Sequence, residues 1–159
     1  MTLAEEVITA ATAAELRIST AESCTGGMLA AALTDIAGAS AVFDRGFITY
    51  SYGSKPEMLG ISADTIEAFG AVSAEAAAQM AVGALARSDA DISVAVTGIA
   101  GPMVGSTKPE GLVWFAISTS TGTETTKCEF GAIGRESVRR ASVEQALKLL
   151  ADVLRLPRK

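Results

Sequence analysis

The sequence predicts an α/β fold: a three-layer α/β/α sandwich on a mixed, mostly parallel sheet. Three observations point there. Short β-branched runs, such as residues 92–97, alternate with longer Ala-rich segments of helical periodicity, the order that lays helices on both faces of a sheet. Residues 112–119 and 123–130 flank Thr121-Gly122, a turn that predicts one antiparallel hairpin in that sheet. Hydrophobic residues make up 49% of the chain and aromatic ones only 5%, so the core must come from Ala, Val, Ile and Leu, which lets helices lie close on strands. The chain has 159 residues and shows no internal repeat, low-complexity tract or linker, so residues 1–159 read as a single domain.

The elements follow in order. Residues 3–16 are rich in Ala and Glu and predict a helix, and residues 17–21 predict a buried strand. Residues 22–27 form a polar, Gly-containing turn, and residues 28–36 predict a helix that stops at Gly38. A second strand is expected at residues 47–51, then a turn over 52–56 and a short helix at 57–59 with Pro56 in its first turn. Ser62 can cap a helix running to Phe69, and Ser73 an Ala-rich helix ending near Arg87. Residues 92–97 read as a central strand, 98–111 as a loop, and 112–119 as a strand buried on both faces. The run after the hairpin turn, 123–130, alternates like an edge partner. Val138, Ala141, Ala146, Leu149 and Leu150 then give residues 134–154 the period of a long amphipathic helix.

Composition narrows the chemistry. The net charge of −5 argues against a general nucleic-acid surface but leaves room for a local cationic pocket. The basic tail 155–159 reads as a solvated terminus. The acidic N-terminus lacks the basic start and apolar run of a signal peptide, and no apolar stretch approaches the roughly 20 residues of a membrane span. Cys24 and Cys128 form neither a disulfide framework nor a zinc-ligand pattern, which fits a cytoplasmic setting. The chain contains no histidine. A Ser-His-Asp triad, a Cys-His pair and histidine metal sites are therefore excluded. Any nucleophile has to be activated by lysine, a carboxylate or the backbone field.

Four places could carry chemistry. In Glu22-Ser23-Cys24-Thr25-Gly26-Gly27, nucleophilic side chains follow a strand and precede a helix. Free N–H groups at that helix start would suit an oxyanion or another anion. The same pattern also suits a plain strand-to-helix turn capped by Ser and Thr. Lys55, after Tyr50-Ser51-Tyr52-Gly53-Ser54, is either a solvated surface lysine or a base. To act as a base near neutrality its pKa must fall from about 10.4, at a cost of roughly 4 kcal/mol. Arg135 can fork onto phosphate or carboxylate and lower the pKa of a nearby lysine, or it can simply pair with Glu136 or face solvent. Thr97-Gly98-Ile99-Ala100-Gly101-Pro102 leaves a central strand at its carboxyl end, where ligands of open α/β sheets bind, but it matches no phosphate-loop fingerprint.

These segments together resemble the CinA C-terminal domain family, whose enzymatic members are nicotinamide mononucleotide deamidases of the PncC type. The resemblance runs from about Thr20 to Leu150. It rests on Ala21-Glu22-Ser23-Cys24-Thr25-Gly26-Gly27, Asp44-Arg45-Gly46-Phe47-Ile48-Thr49-Tyr50-Ser51 with Lys55, Gly70-Ala71-Val72-Ser73, Thr97-Gly98-Ile99-Ala100-Gly101-Pro102, Lys108-Pro109 and Val138-Arg139-Arg140. It implies hydrolysis of the carboxamide of nicotinamide mononucleotide to nicotinate mononucleotide and ammonia. It also implies a Ser–Lys dyad at Ser23 and Lys55, with Tyr50, Thr97 and Arg135 linked to activity. Substrate-binding positions are expected at Cys24, Thr25, Gly26, Tyr50, Thr97, Gly98 and Arg135. Such a dyad needs no metal or cofactor. The resemblance further implies a homodimer or higher homo-oligomer acting on a small pyridine nucleotide, while charge and the lack of an apolar span lead us to expect no nucleic-acid or membrane partner. Two positions depart from the family pattern: Met103-Val104-Gly105 replaces a glycine-rich run, and Ile133-Gly134 stands where many members carry an acidic residue or Asn before the arginine. Two rival readings remain at this point: Cys24 as the nucleophile, and a non-catalytic nucleotide-binding module associated with competence or DNA damage.

Overall fold

The computed structural model describes residues 1–102 and 107–156. The Met103-Val104-Gly105 departure and the last three residues of the basic tail lie outside the described residues.

A five-stranded sheet has the order β2-β1-β3-β4-β5. Its strands are β1 (Ile18–Glu22), β2 (Phe43–Ile48), β3 (Ile92–Gly98), β4 (Leu112–Thr119) and β5 (Gly122–Glu129). β1 pairs in parallel with β2 and β3, while β4 runs antiparallel to both β3 and β5. Only β4 therefore runs against the rest, as expected for a mostly parallel sheet with one hairpin. β3, the β-branched run, takes the central position.

Helices α1 (Leu3–Ala14), α2 (Met28–Thr34) and α6 (Arg135–Arg155) cover one face. Helices α3 (Ser54–Leu59), α4 (Ala63–Phe69) and α5 (Ala74–Ala86) lie on the other. On the first face Ile18, Val94, Val96, Val113 and Phe115 meet Val7, Leu29, Leu33, Val138 and Leu150. On the second, Ala21, Ala95 and Ala116 meet Ala77, Met80, Ala81 and Ala84 of α5. Among the described residues, no helix is long and apolar enough to cross a membrane.

The Ser caps form as the sequence predicts: Ser62 Oγ accepts from Thr65 N–H, and Ser73 Oγ from Ala76 N–H. Two expectations shift. The second strand spans Phe43–Ile48 rather than residues 47–51. Its parallel partner β1 pairs Glu22 with Ile48 and then turns away at Ser23, so the chain leaves the sheet at Thr49. The missed segment, Asp44-Arg45-Gly46, is polar because it lies on a sheet edge. Helix α3 also starts earlier, at Ser54. Proline is tolerated throughout a first turn, where N–H groups have no intrahelical partner, so Pro56 does not delay the start. Lys55 thus belongs to a helix, not to the preceding turn.

Candidate active site at the carboxyl ends of β1 and β3

The parallel strands β1 and β3 end side by side, and the chain turns sharply at the end of β1. Ser23 N–H donates to Val96 O of β3 (2.9 Å), Gly26 N–H closes the turn onto Ser23 O (3.0 Å), and Gly26 takes a left-handed φ of 56°. Ser23 is thereby fixed at the tip of the sheet. Thr49 N–H donates to Glu22 O (2.9 Å), which brings the segment after β2 beside the same turn.

Lys55 reaches this point from α3. Its side chain is 1% exposed, and Nζ donates to Thr49 O at 2.5 Å and to Ser23 Oγ at 3.1 Å. Burial pushes its pKa below the ordinary lysine value. Cys24, next to Ser23, is also buried, and burial pushes its thiol up to about 12. A protonated thiol is a poor nucleophile, so this environment works against Cys24 in that role.

The two side chains open onto a cavity of about 280 Å3. Seven of the nine residues singled out from the sequence line it: Ser23, Cys24, Tyr50, Lys55, Thr97, Gly98 and Arg135. Thr25 and Gly26 do not. Thr25 is fully buried and its hydroxyl donates to Glu22 (2.6 Å), while Gly26 lies against Arg139. Thr97 lines the cavity but its hydroxyl donates to Ala71 O (2.8 Å), so it secures the wall formed by Ala71 and Val72. Lys108 ties down the same strap, donating to Phe69 O (2.7 Å) and to Val72 O. At the mouth, Arg135 donates to Tyr50 Oη (2.7 Å) and Gly101 O (2.8 Å). It does not pair with Glu136, whose carboxylate is bridged by Arg140 (2.6 Å). Gly134, with φ 99°, starts α6 without a side-chain cap. Arg135 puts a cation at the cavity mouth, and no carboxylate lines the cavity among the described residues, which suits an anionic ligand.

One sequence expectation is corrected. The first N–H groups of α2 are not free for an oxyanion or phosphate. Its N-cap is Gly27, which offers no side chain, and the buried Glu22 carboxylate fills the role instead, accepting from Leu29 N–H (2.8 Å) and Ala30 N–H (3.0 Å). Glu22 was overlooked as a site residue, although a glycine N-cap a few residues past a strand-end glutamate was a usable signal. Arg139, which the sequence shows only as part of Val138-Arg139-Arg140, has a role in the structure. It donates from Nε to Cys24 O (3.0 Å) and from Nη2 to Thr25 O (3.2 Å). Its position four residues after Arg135, on the same helix face, was the clue.

A family model for the CinA C-terminal domain matches residues 1–154. The chain belongs to the CinA C-terminal domain family. Among its relatives, the nicotinamide-nucleotide amidohydrolase PncC of Escherichia coli K12 is 46% identical over 151 residues, 94% of this chain and 92% of that protein. A putative competence-damage inducible protein of Caldicellulosiruptor saccharolyticus is 45% identical over 154 residues, 96% of this chain but 37% of its own longer one. The crystal structure of the competence/damage inducible protein CihA from Agrobacterium tumefaciens superposes with a TM-score of 0.93 at 51% identity, covering 97% of this chain and 94% of that one. The CinA fold of these neighbours is the sandwich described above.

Proposed function

We propose that this protein is an amidohydrolase that converts nicotinamide mononucleotide and water to nicotinate mononucleotide and ammonia, with Ser23 as nucleophile and Lys55 as base. The observation that carries the reading is the 3.1 Å contact between Lys55 Nζ and Ser23 Oγ at a lysine almost wholly withdrawn from water. Neutral Lys55 takes the hydroxyl proton as Ser23 Oγ bonds to the carboxamide carbon. The resulting oxyanion is met by backbone N–H groups of the turn, that of Cys24 among them. Lys55 then returns the proton to the amine as the C–N bond breaks, and ammonia leaves an acyl-Ser23 ester. Water, deprotonated by Lys55, attacks that ester and releases the carboxylate. Arg135, exposed at the mouth and without an ion pair among the described residues, would take the phosphate. The name carried by the E. coli relative supports the same substrate.

The test is ammonia release from nicotinamide mononucleotide, with nicotinamide and its riboside as comparisons. Turnover should require the phosphate-bearing substrate. Ser23→Ala and Lys55→Arg should each cut kcat by more than about 1,000-fold while the fold persists. Full activity in folded Ser23→Ala removes Ser23 as nucleophile. Nucleotide binding by calorimetry without ammonia release would favour a regulatory binding module.

A further inference from the structure

We propose that Arg139 is a positioning residue: it holds the central peptide of the Ser23 turn so that the turn presents N–H, not carbonyl, to the oxyanion formed at Ser23. The inference rests on the reading of Ser23 as nucleophile.

Residues Ser23, Cys24, Thr25 and Gly26 form a four-residue turn closed by Gly26 N–H onto Ser23 O (3.0 Å). That bond fixes the first peptide of the turn. In a planar trans peptide the carbonyl and the N–H point opposite ways, so the Cys24 N–H is directed away from the turn's interior bond. The central peptide, between Cys24 and Thr25, is the one that turns can flip with little change elsewhere, as the difference between type I and type II turns shows. A flip would swing the Cys24 carbonyl, with its partial negative charge, round toward the opposite side of the turn. The Arg139 guanidinium opposes it by donating to Cys24 O (3.0 Å) and to the next carbonyl, Thr25 O (3.2 Å).

Arg139 does not line the cavity, so the carbonyl it holds is directed at a residue outside the site. The planar fork of arginine spans two successive carbonyls, which a lysine ammonium on one flexible stem does not match. The start of α2 offers no substitute donor, because Glu22 already occupies Leu29 N–H and Ala30 N–H. The aim of the turn is therefore set from α6, by a side chain one helical turn beyond Arg135.

The experiment measures kcat, KM, melting temperature and the rate at which a fluorophosphonate labels Ser23, in wild type, Arg139→Ala and Arg139→Lys. The phosphonyl oxygen gains charge where the substrate oxyanion would, so labelling reports the same N–H groups. Arg139→Ala should lose about 10–100-fold in kcat and in labelling, less than the 100–1,000-fold for deleting an oxyanion donor outright, because the Cys24 N–H stays in place and only the neighbouring carbonyl is freed to oppose the charge. KM should stay within about threefold. Arg139→Lys should recover only part, and added methylguanidinium should raise the rate of Arg139→Ala but not of Ser23→Ala. A simple helix-to-loop tie would lower the melting temperature without this rescue. Wild-type rates in folded Arg139→Ala overturn the proposal, as does a loss that follows the unfolded fraction and ignores methylguanidinium. If Arg139→Ala fails to fold, Arg139→Lys decides: wild-type labelling there overturns it. Wild type that is not labelled at Ser23 instead removes the nucleophile reading, and this inference with it.

Discussion

The two faces of the sheet are packed with different material. Under α1, α2 and α6 lie long aliphatic side chains such as Leu29, Leu33, Leu147 and Leu150. Under α5 lie mostly alanines, from both the strands and the helix. The nucleophile and its proposed base come from opposite sides of this contrast. The Ser23 turn leans on the aliphatic layer, through Cys24 in its core and Arg139 of α6. Lys55 comes from α3, whose Leu59 packs in the alanine layer. Small side chains let α5 approach so closely that α3 rests on its backbone: a Cβ on Gly83 would lie 2.1 Å from Leu59 O. One layer contributes mainly burial. The other sets a distance.

Substitutions in the two layers should separate these roles. The largest effect is expected from Gly83→Ala, whose methyl meets backbone and has to push α3 away from α5. A displacement near 1 Å at Lys55 should cost about 100-fold in kcat, along with stability, as read by ammonia release and thermal melting. Retention of full activity would show that the alanine layer does not set the Lys55 position. In the aliphatic layer, Leu150→Ala should cost about 2–5 kcal/mol in denaturant unfolding. Its kcat under folding conditions should stay within about twofold of wild type, and a larger fall would erase the contrast.

The smallest effect concerns pH. Burial lowers the Lys55 pKa in the folded chain, so the unfolded chain binds that proton more readily. Its burden on stability is full below the lowered value and is relieved as pH rises to the ordinary lysine value of about 10.4. Wild type should therefore gain stability relative to Lys55→Met across that window. Parallel pH profiles of melting would show that Lys55 is not charged by unfolding.

The same contrast explains what the sequence could disclose. The Ser62 and Ser73 caps, the hairpin and the long last helix were legible because each signal lies within a few residues of what it controls. The grouping of Ser23 with Lys55 was legible only through the family motifs. Burial of a lysine depends on packing of α3 against α5, which no local pattern reports. β2 was displaced because an edge strand obeys its partner's register more than its own composition. Glu22 was missed for a related reason: its carboxylate caps a helix it does not belong to.

The near-complete enclosure of Lys55 also bears on where the abstracted proton can travel. Its hydrogen-bond partners are Thr49 O, which cannot take a proton at working pH, and Ser23 Oγ. On the proposed chemistry the ammonium so created meets the bulk reservoir only by way of the cavity that holds the substrate. The proton lifted from the hydroxyl is then kept in place for the departing nitrogen, so each cycle would recycle one proton internally before solvent is consulted.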